Sequence, residues 1–576
     1  MTYAWLSKST PRFYPGQPGL GKMRRKIIVV GGVAGGASAA CRLRRLDEAA
    51  HIIMFERGAD ISFANCGLPY YVGGVIEQRK KLLVQTPKSM RSRFNIDVRT
   101  MSEVIKVKPA DKKVEVKNLI NDTVYEETYD YLILSPGAQP ALHNIPGIEK
   151  SNVFVVRNVP DSDNIKQYIQ SHQPSAAAVV GAGYIGLEMA EMLKESGLKV
   201  TIIEAADQIL GALDPDMAAI VQDYIKKQGI DIILSDKVVA MEGAEQVEKV
   251  QLESGKTVAA GLIIMGTGVK PEVWLAQEAG LAIGSTGGIL VNEYLQTSDP
   301  FIYAAGDAIQ IKDFVTGDDS LVPLAGPANR QGWIVANNIC GRQIKYTGSQ
   351  GTSIVKIMDM VAGGTGQNEK QLKRKNIDYL FCHAHPFSHA TYYPGSSQMT
   401  IKLLFTPGEG KILGAQVVGY DNVDKTIDVL ATAIRAGMNV YDLLELELAY
   451  APPFSSAKSP PNMVAYVAAN ILDGSIDCVR WEEVRDLLEE GTFLIDARMP
   501  REVEKGSVDG AHNIPVDDLR ERLDELPKDR EIAVFCQVGM RSYIANRILQ
   551  QNGFKAKNIS GGYRLYQYLK NSGLVE

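Results

Sequence analysis

The chain has 576 residues, 45% of them hydrophobic and 22% charged. That length exceeds one hydrophobic core and calls for about three to five domains of ordinary globular composition. A net charge of −5 gives no electrostatic reason to bind nucleic acid, and no apolar run is long enough to cross a membrane as a helix. The six cysteines (41, 66, 340, 382, 478 and 536) are widely scattered. This argues against a disulfide framework and for a reducing, cytoplasmic compartment.

Residues 1–23 carry two Pro-Gly breaks and no apolar core flanked by a cleavage site. They read as a flexible extension rather than a signal peptide. Lys26 to Val30 is a β-branched run, followed by Gly31-Gly32-Val-Ala-Gly35-Gly36 and a helical stretch from Ala37 to Leu46. A second strand, His51 to Phe55, ends at Glu56. Strand, glycine turn, helix and a later acid is the pattern that seats a pyrophosphate on a helix N-terminus and an adenosine ribose on a carboxylate. The pattern returns as Ala176 to Val180, Gly181-Ala-Gly183-Tyr-Ile185-Gly186, Leu187 to Glu195, and Val200 to Ile203 ending in Glu204. Two such units imply two dinucleotides. Glu204 would repel a 2′-phosphate, so the second unit should prefer NADH to NADPH.

Between these units lies Ser62-Phe-Ala-Asn65-Cys66-Gly-Leu-Pro-Tyr-Tyr71. Cys66 precedes a helix-compatible segment, where unpaired N–H groups and the positive dipole end should favour thiolate. No second cysteine stands two or four residues away, so its sulfur partner must come from elsewhere. A buried structural cysteine is the plainer reading of the residue taken alone. From about 352 to 472, Val355 to Ala362, Met399 to Phe405 and Ile412 to Tyr420 read as strands, and Val423 to Ala436 as an amphipathic helix. Cys382-His383-Ala-His385 with His389 fits no common zinc spacing. It reads as a strand with the three histidines on one face, and no metal is expected. The basic clusters Arg42-Leu-Arg44-Arg45 and Lys373-Arg-Lys375 read as solvated faces, although one could hold phosphates. Cys41, Cys340 and Cys478 read as structural. Near the C-terminus, Cys536 follows an apolar strand and opens a six-residue loop to Arg541. Successive N–H groups in such a loop form an anion nest.

Several of these motifs resemble known families. Tyr303-Ala-Ala-Gly-Asp307 resembles the second FAD fingerprint of the two-dinucleotide flavoprotein reductases, and Ser135-Pro-Gly137 and Gly266-Thr-Gly268 resemble their strand-end signatures. The resemblance puts FAD in the first fold (24–148 and 270–350), on Gly31, Gly32, Gly35, Gly36, Glu56, Arg57, Val104, Gly137, Asp307 and Ala325. It puts NADH in an inserted second fold (149–269), on Gly181, Gly183, Ile185, Gly186, Glu204 and Gly268. Residues 325–332 then begin a helix against the flavin. Residues 477–576 closely resemble a rhodanese through Asp496-Ala-Arg498, Gly510-Ala-His-Asn-Ile-Pro515 and the Cys536–Arg541 loop. A related phosphatase loop is one residue longer, so this length favours sulfur transfer; a rhodanese fold kept only for binding is the alternative.

Taken whole, the chain resembles a coenzyme A-disulfide reductase–rhodanese fusion, also described as NADH-dependent persulfide reductase, of the single-cysteine branch of the FAD/NAD-linked pyridine nucleotide-disulfide reductases. The Ser-Phe-x-Asn-Cys motif carries that branch. Two-cysteine members place a second cysteine at the position of Tyr71 here, and a C-terminal His-Pro pair where this chain reads Leu448-Ala-Tyr450-Ala-Pro-Pro. The resemblance implies an α/β fold class: two Rossmann-like domains, an α+β dimerisation domain (351–473) and a rhodanese α/β domain. It implies a homodimer with shared active sites, and reduction of CoA disulfide, CoA persulfide or polysulfide through a Cys66–S–S–CoA mixed disulfide. CoA is expected on Ser38, Arg42, Arg45, Ser62, Asn65 and Asn329; Lys88, Arg91 and Arg93 are further candidates. Tyr392, with Tyr393 as competitor, and Tyr450 match the family's proton-handling tyrosines, and Cys536 with Arg541 matches the sulfur-carrying loop. Three other readings stay open. One is an NADH peroxidase or oxidase using Cys66 sulfenic acid, against which stands Ala34 where those enzymes carry a histidine. The others are a non-enzymatic redox sensor and an electron carrier to a protein partner.

Overall fold

The computed structural model describes residues 25–575; the expected N-terminal extension lies outside them. Lys26–Val30 pairs in parallel with His51–Phe55 and with Tyr131–Leu134, which in turn pairs with Ile302–Ala304. Asp97–Arg99 completes this five-stranded sheet. One strand therefore arrives from beyond residue 300, after the chain has built a second parallel sheet. That second sheet orders Asp231–Ile233, Lys199–Ile203, Ala176–Val180, Leu262–Met265 and Val153–Phe154. The inner strands of both sheets are apolar and buried on both faces, as sheets covered by helices require.

The helices that position the functional residues are, in chain order, α1 (Ala34–Leu46), α2 (Leu68–Val72), α3 (Tyr184–Glu195), α4 (Pro215–Lys227), α5 (Ala325–Ile339), α6 (Val423–Ala436), α7 (Met540–Gln551) and α8 (Gly562–Asn571). Both α1 and α3 begin three residues earlier than propensity suggests, inside their glycine turns. The last glycine of each loop is sterically obligatory. A Cβ on Gly36 would sit 1.9 Å from the Gly31 carbonyl oxygen, and one on Gly186 2.0 Å from that of Gly181.

The third unit is an antiparallel sheet of Ser353–Ile357, Met360–Gly366, Ile412–Gly419, Thr400–Phe405 and Leu380–Ala384. The single strand expected over Val355 to Ala362 is a hairpin instead. Met358 adopts a φ of 51°, and reversal at Met358–Asp359 puts Val355 opposite Ala362. α6 has the bounds read from its periodicity and buries Val423, Ile427, Leu430 and Ile434. The fourth unit is a parallel sheet ordered Cys478–Val479, Ala556–Ile559, Ile532–Phe535, Phe493–Asp496 and His512–Asn513. The fold is thus α/β, with two Rossmann-type units, an antiparallel-sheet unit and a smaller parallel-sheet unit.

A buried charge cluster joins the last three units. Lys402, on Thr400–Phe405, is 2% exposed. Its Nζ lies 2.7 Å from Asp216, 3.1 Å from Asp214 and 2.7 Å from Glu369. Both aspartates stand at the start of α4, and Glu369 also pairs with Arg480 of the fourth unit at 3.1 Å. Despite burial, Lys402 and Arg480 hold the Glu369 carboxyl down to about 2. Replacing Lys402 with Met leaves three carboxylates facing one another without their cation. We expect a loss of about 3–5 kcal/mol, seen as a lowered thermal unfolding transition. In the parent protein the contribution of Glu369 should be complete above the ordinary glutamate range and lost as pH falls towards 2.

Candidate active site

The first sheet opens a cleft of about 360 Å³. Gly31, Gly35, Glu56, Arg57, Val104, Gly137 and Asp307 line it, and Gly32, Gly36 and Ala325 do not. The Glu56 carboxylate accepts from the N–H of Gly32 at 2.9 Å and of Gly58 at 2.8 Å. It is fixed at the strand end with lone pairs to spare for a ribose diol. Arg57 forms a two-pronged pair with Glu272 at 2.8 and 2.9 Å. Ala325 begins α5, whose Ala328 reaches the cleft one turn later. A glycine turn, a clamped acid and a second strand-end carboxylate, Asp307, fit FAD.

The second unit repeats the clamp. Glu204 accepts from Ala182 N–H at 2.7 Å and Ala206 N–H at 2.9 Å. Gly183 and Ile185 stand exposed at the mouth of that loop, and Gly268 turns the strand end with a φ of 89°. A fixed carboxylate with no arginine in Ala205–Asp207 fits an unphosphorylated ribose.

Cys66 sits in a single 3₁₀ turn, Asn65–Gly67, ahead of α2, and is exposed. Phe63 and Asn65, both just ahead of it in the chain, line the flavin cleft. The expected bias toward thiolate is not found. Burial of its inner side and the charges of Glu188 and Asp307 push the thiol up, outweighing its backbone hydrogen bond. α2 is only five residues long, so its dipole end is weak. Glu188 itself was missed in the sequence. It lies on α3, accepts from the Tyr70 hydroxyl at 3.2 Å, and burial pushes it to about 7. Its signal was a pair of carboxylates, Glu188 and Glu191, among the otherwise apolar residues from Leu187 to Leu193.

The residues expected to hold CoA gather along α1 and α5. Ser38 hydrogen-bonds Asn329, and Arg42 donates to Asn337 Oδ1 at 3.1 Å while stacking over Trp333. Arg342 reaches the same Asn337 oxygen at 3.3 Å. Burial, then Arg342 and Arg45, pull the Arg42 pKa down. Arg342 and Arg45 thus add like charge around Arg42. Arg342 lies 300 residues beyond Arg42, so no local pattern announced it. Arg45 is exposed on the next turn of α1, and Ser62 turns the chain with a φ of 45° ahead of Asn65. Arg44 is not part of a solvated face: it is 4% exposed and binds five backbone carbonyls, among them Phe94 and Ala50. Arg91 pairs with Asp97 at 3.2 Å. Arg157, also missed, enters the flavin cleft beside Glu272.

In the third unit the hydroxyls of Tyr392 and Tyr450 meet at 2.7 Å, whereas Tyr393 packs edge-on against His389. The histidines do not share one face. The strand ends at Ala384, so His383 and His385 turn to the fourth unit and His389 bonds the Ala390 carbonyl. Among the described residues no group of His, Cys, Asp or Glu is arranged to hold a metal. In the fourth unit Cys536 is fully buried, and the Gly539 N–H points at its sulfur at 3.1 Å. Arg541 is held by Glu502 at 2.6 and 2.8 Å, which keeps Glu502 down to about 2.

Residues 25–332, more than half of the chain, match the pyridine nucleotide-disulphide oxidoreductase family. The chain belongs to that family. Residues 352–460 match the family's dimerisation domain and 480–568 a rhodanese-like domain. The family is FAD- and NAD(H)-dependent, and the chain is an FAD-dependent oxidoreductase. Among relatives, a Staphylococcus aureus coenzyme A disulfide reductase is 39% identical over 444 residues, 77% of this chain and 99% of that protein. An NADH oxidase of Methanocaldococcus jannaschii is 37% identical over 441 residues, 76% and 98% of the two chains. The crystal structure of reduced CoADR-RHD from Bacillus anthracis superposes with a TM-score of 0.94 at 51% identity, covering 96% of this chain and 99% of that one. An NAD-dependent persulfide reductase from A. fulgidus gives a TM-score of 0.89 at 37% identity, covering 94% and 100%.

Because Glu188 opposes a thiolate at Cys66, Glu188→Gln should make that thiolate easier to form. Alkylation of Cys66 by iodoacetamide, in protein first reduced with dithiothreitol and then freed of the reductant, should move to lower pH, by roughly half a unit to one unit. An unchanged profile would show that Glu188 does not act on Cys66.

Proposed function

We propose that the protein uses NADH to reduce CoA disulfide and CoA persulfide or polysulfide through Cys66, with Cys536 as a sulfur carrier. The observation that carries this reading is one exposed cysteine, without a local partner, at the edge of a flavin-sized cleft and beside a helix presenting Arg42 and Arg45. CoA brings three phosphoryl groups, and Arg42, Arg45 and Arg342 form the cation set for them. Ser38, Ser62, Asn65 and Asn329 provide polar contacts along the same groove. Bound FAD supplies the two electrons, received from NADH, that return a Cys66–CoA disulfide to thiolate and thiol. Cys66 does the sulfur chemistry: with CoA disulfide or CoA persulfide its thiolate attacks the CoA-bound sulfur, forming Cys66–S–S–CoA and expelling CoA thiolate or hydrosulfide, whereas a polysulfide leaves a persulfide on Cys66 and departs one or more sulfurs shorter. Glu188, with its carboxyl at about 7, holds or releases a proton beside Cys66 at neutral pH. A phenol pair at 2.7 Å suits hydrogen bonding to a departing thiolate.

Tyr392 is 74% exposed, Tyr450 48% and Phe454 66% on the single chain. Such a face favours a homodimer in which each chain lends its tyrosine pair to the other's Cys66. No helix among the described residues is long and apolar enough to cross a membrane. The scattered free cysteines support the reducing cytoplasm as its place.

Intact mass before and after NADH tests the reading. Loss of about one CoA mass per chain, mapped to Cys66, is expected. An oxygen-sized adduct there without CoA would shift the assignment to the oxidase or peroxidase reading. Cys66→Ser should abolish NADH-dependent disulfide reduction yet leave thiosulfate sulfur transfer at Cys536. Tyr450→Phe should lower the reduction rate by roughly tenfold to a hundredfold with FAD content unchanged.

A further inference from the structure

We propose that His383 and His385 of the third unit are positioning residues for the sulfur-carrying loop of the fourth. The inference rests on the sulfur-carrier reading of Cys536. Neither histidine touches Cys536; each acts through the turn before α8.

Two features hold the loop. The Gly539 N–H points inward at the Cys536 sulfur, 3.1 Å away. Two loop carbonyls are turned the other way: Cys536 O accepts from Tyr563 N–H at 2.7 Å, and Gln537 O from Arg564 N–H at 3.0 Å. Those donors belong to the first turn of α8, whose N–H groups have no partner within the helix. The α8 N-terminus thus backs the loop by holding two of its carbonyls, while the Gly539 N–H faces the sulfur. The packing is tight: a Cβ on Gly562 would lie 2.7 Å from the Cys536 carbonyl oxygen.

The turn that sets α8 in place, Ser560-Gly561, is held from outside the fourth unit. His385 Nε2 donates to the Gly561 carbonyl at 2.9 Å, which leaves Nδ1 to accept from the Thr400 hydroxyl at 3.0 Å. Burial, with the charges of Arg564 and His383, pushes His385 down to about 3, so it is neutral with this one tautomer. His383 bonds Ser560 Oγ through Nδ1 at 2.8 Å, and Nε2 donates to Asp216 at 2.9 Å. Asp216 is in turn paired with Lys402. Through these bonds the reductase body fixes the turn, the turn fixes α8, and α8 fixes the loop in which Cys536 reacts. The reaction served is attack of the Cys536 thiolate on the outer sulfur of thiosulfate: an S–S bond forms to Cys536, the old S–S bond breaks, and sulfite leaves with its electron pair. An N–H nest displaced by even an ångström loses much of its hold on the charged sulfur in such a step.

The test uses the full chain, with thiosulfate as donor and cyanide as acceptor, and intact mass to follow the persulfide. His385→Leu should lower kcat at least about tenfold while FAD content and NADH-dependent disulfide reduction stay at parent levels. His385→Gln can donate to Gly561 and accept from Thr400 without charge, and should restore kcat to within about threefold. Normal sulfur transfer by His385→Leu, equal loss in the Gln variant, or matching loss of disulfide reduction would each overturn the inference. A parent protein that forms no persulfide at Cys536 would instead overturn the sulfur-carrier reading beneath it.

Discussion

The ammonium of Lys402 is the constraint around which the units are joined. A cation with 2% exposure is tolerable only with anions at contact distance. No single unit provides them: Asp214 and Asp216 come from the start of α4, and Glu369 from the unit of Lys402 itself. Glu369 then needs a second cation on its other oxygen, and Arg480 brings in the rhodanese-like unit. Tyr379 donates to that same oxygen at 2.8 Å. Misplacing any partner leaves a buried charge unpaired, so the cluster specifies geometry more than it adds stability.

The two dinucleotide units show one solution used twice. In each, the loop's first glycine N–H bonds the end of the next strand, Gly31 to Phe55 at 2.9 Å and Gly181 to Ile203 at 2.8 Å. In each, a glutamate is pinned by the loop's second residue and by a residue two positions on. The pinning is intrinsic to the fold, so each acid stands ready before any ligand arrives. Cys66 is arranged differently. Its surroundings favour the thiol, through burial and the Glu188 and Asp307 charges. Arg42 and Arg45 of α1, with Arg342, place three like charges together.

Local chemistry was legible because it is written in consecutive residues. Glycine turns, the acid after the second strand, the loop from Cys536 and the span of α6 each depend on neighbours within a few positions. The misreadings share a different cause. Val355 to Ala362 is uniformly compatible with a strand, and only pairing across the sheet places the reversal at Met358. Arg44 lies in a charged run, yet backbone carbonyls of a neighbouring loop, from Phe94 and Asn95, draw it inside. His389 departs from its two companions because the chain leaves the sheet after Ala384.

The sequence by itself determined both glycine loops with their acids and the isolation of Cys66 and Cys536 from other cysteines, and its resemblance to known families implied the α/β class and the order of the units. The loops and the isolated cysteines follow from sterics and spacing, which act locally. Only the tertiary structure decided that Tyr392 rather than Tyr393 meets Tyr450, that Arg342 joins Arg42, that Glu188 faces Cys66, and that His383 and His385 reach the turn behind Cys536. Each joins residues that are 58 to 300 positions apart or depends on which way a side chain turns at a strand's end. Such pairs are set by the packing of whole units, and no local pattern encodes that packing.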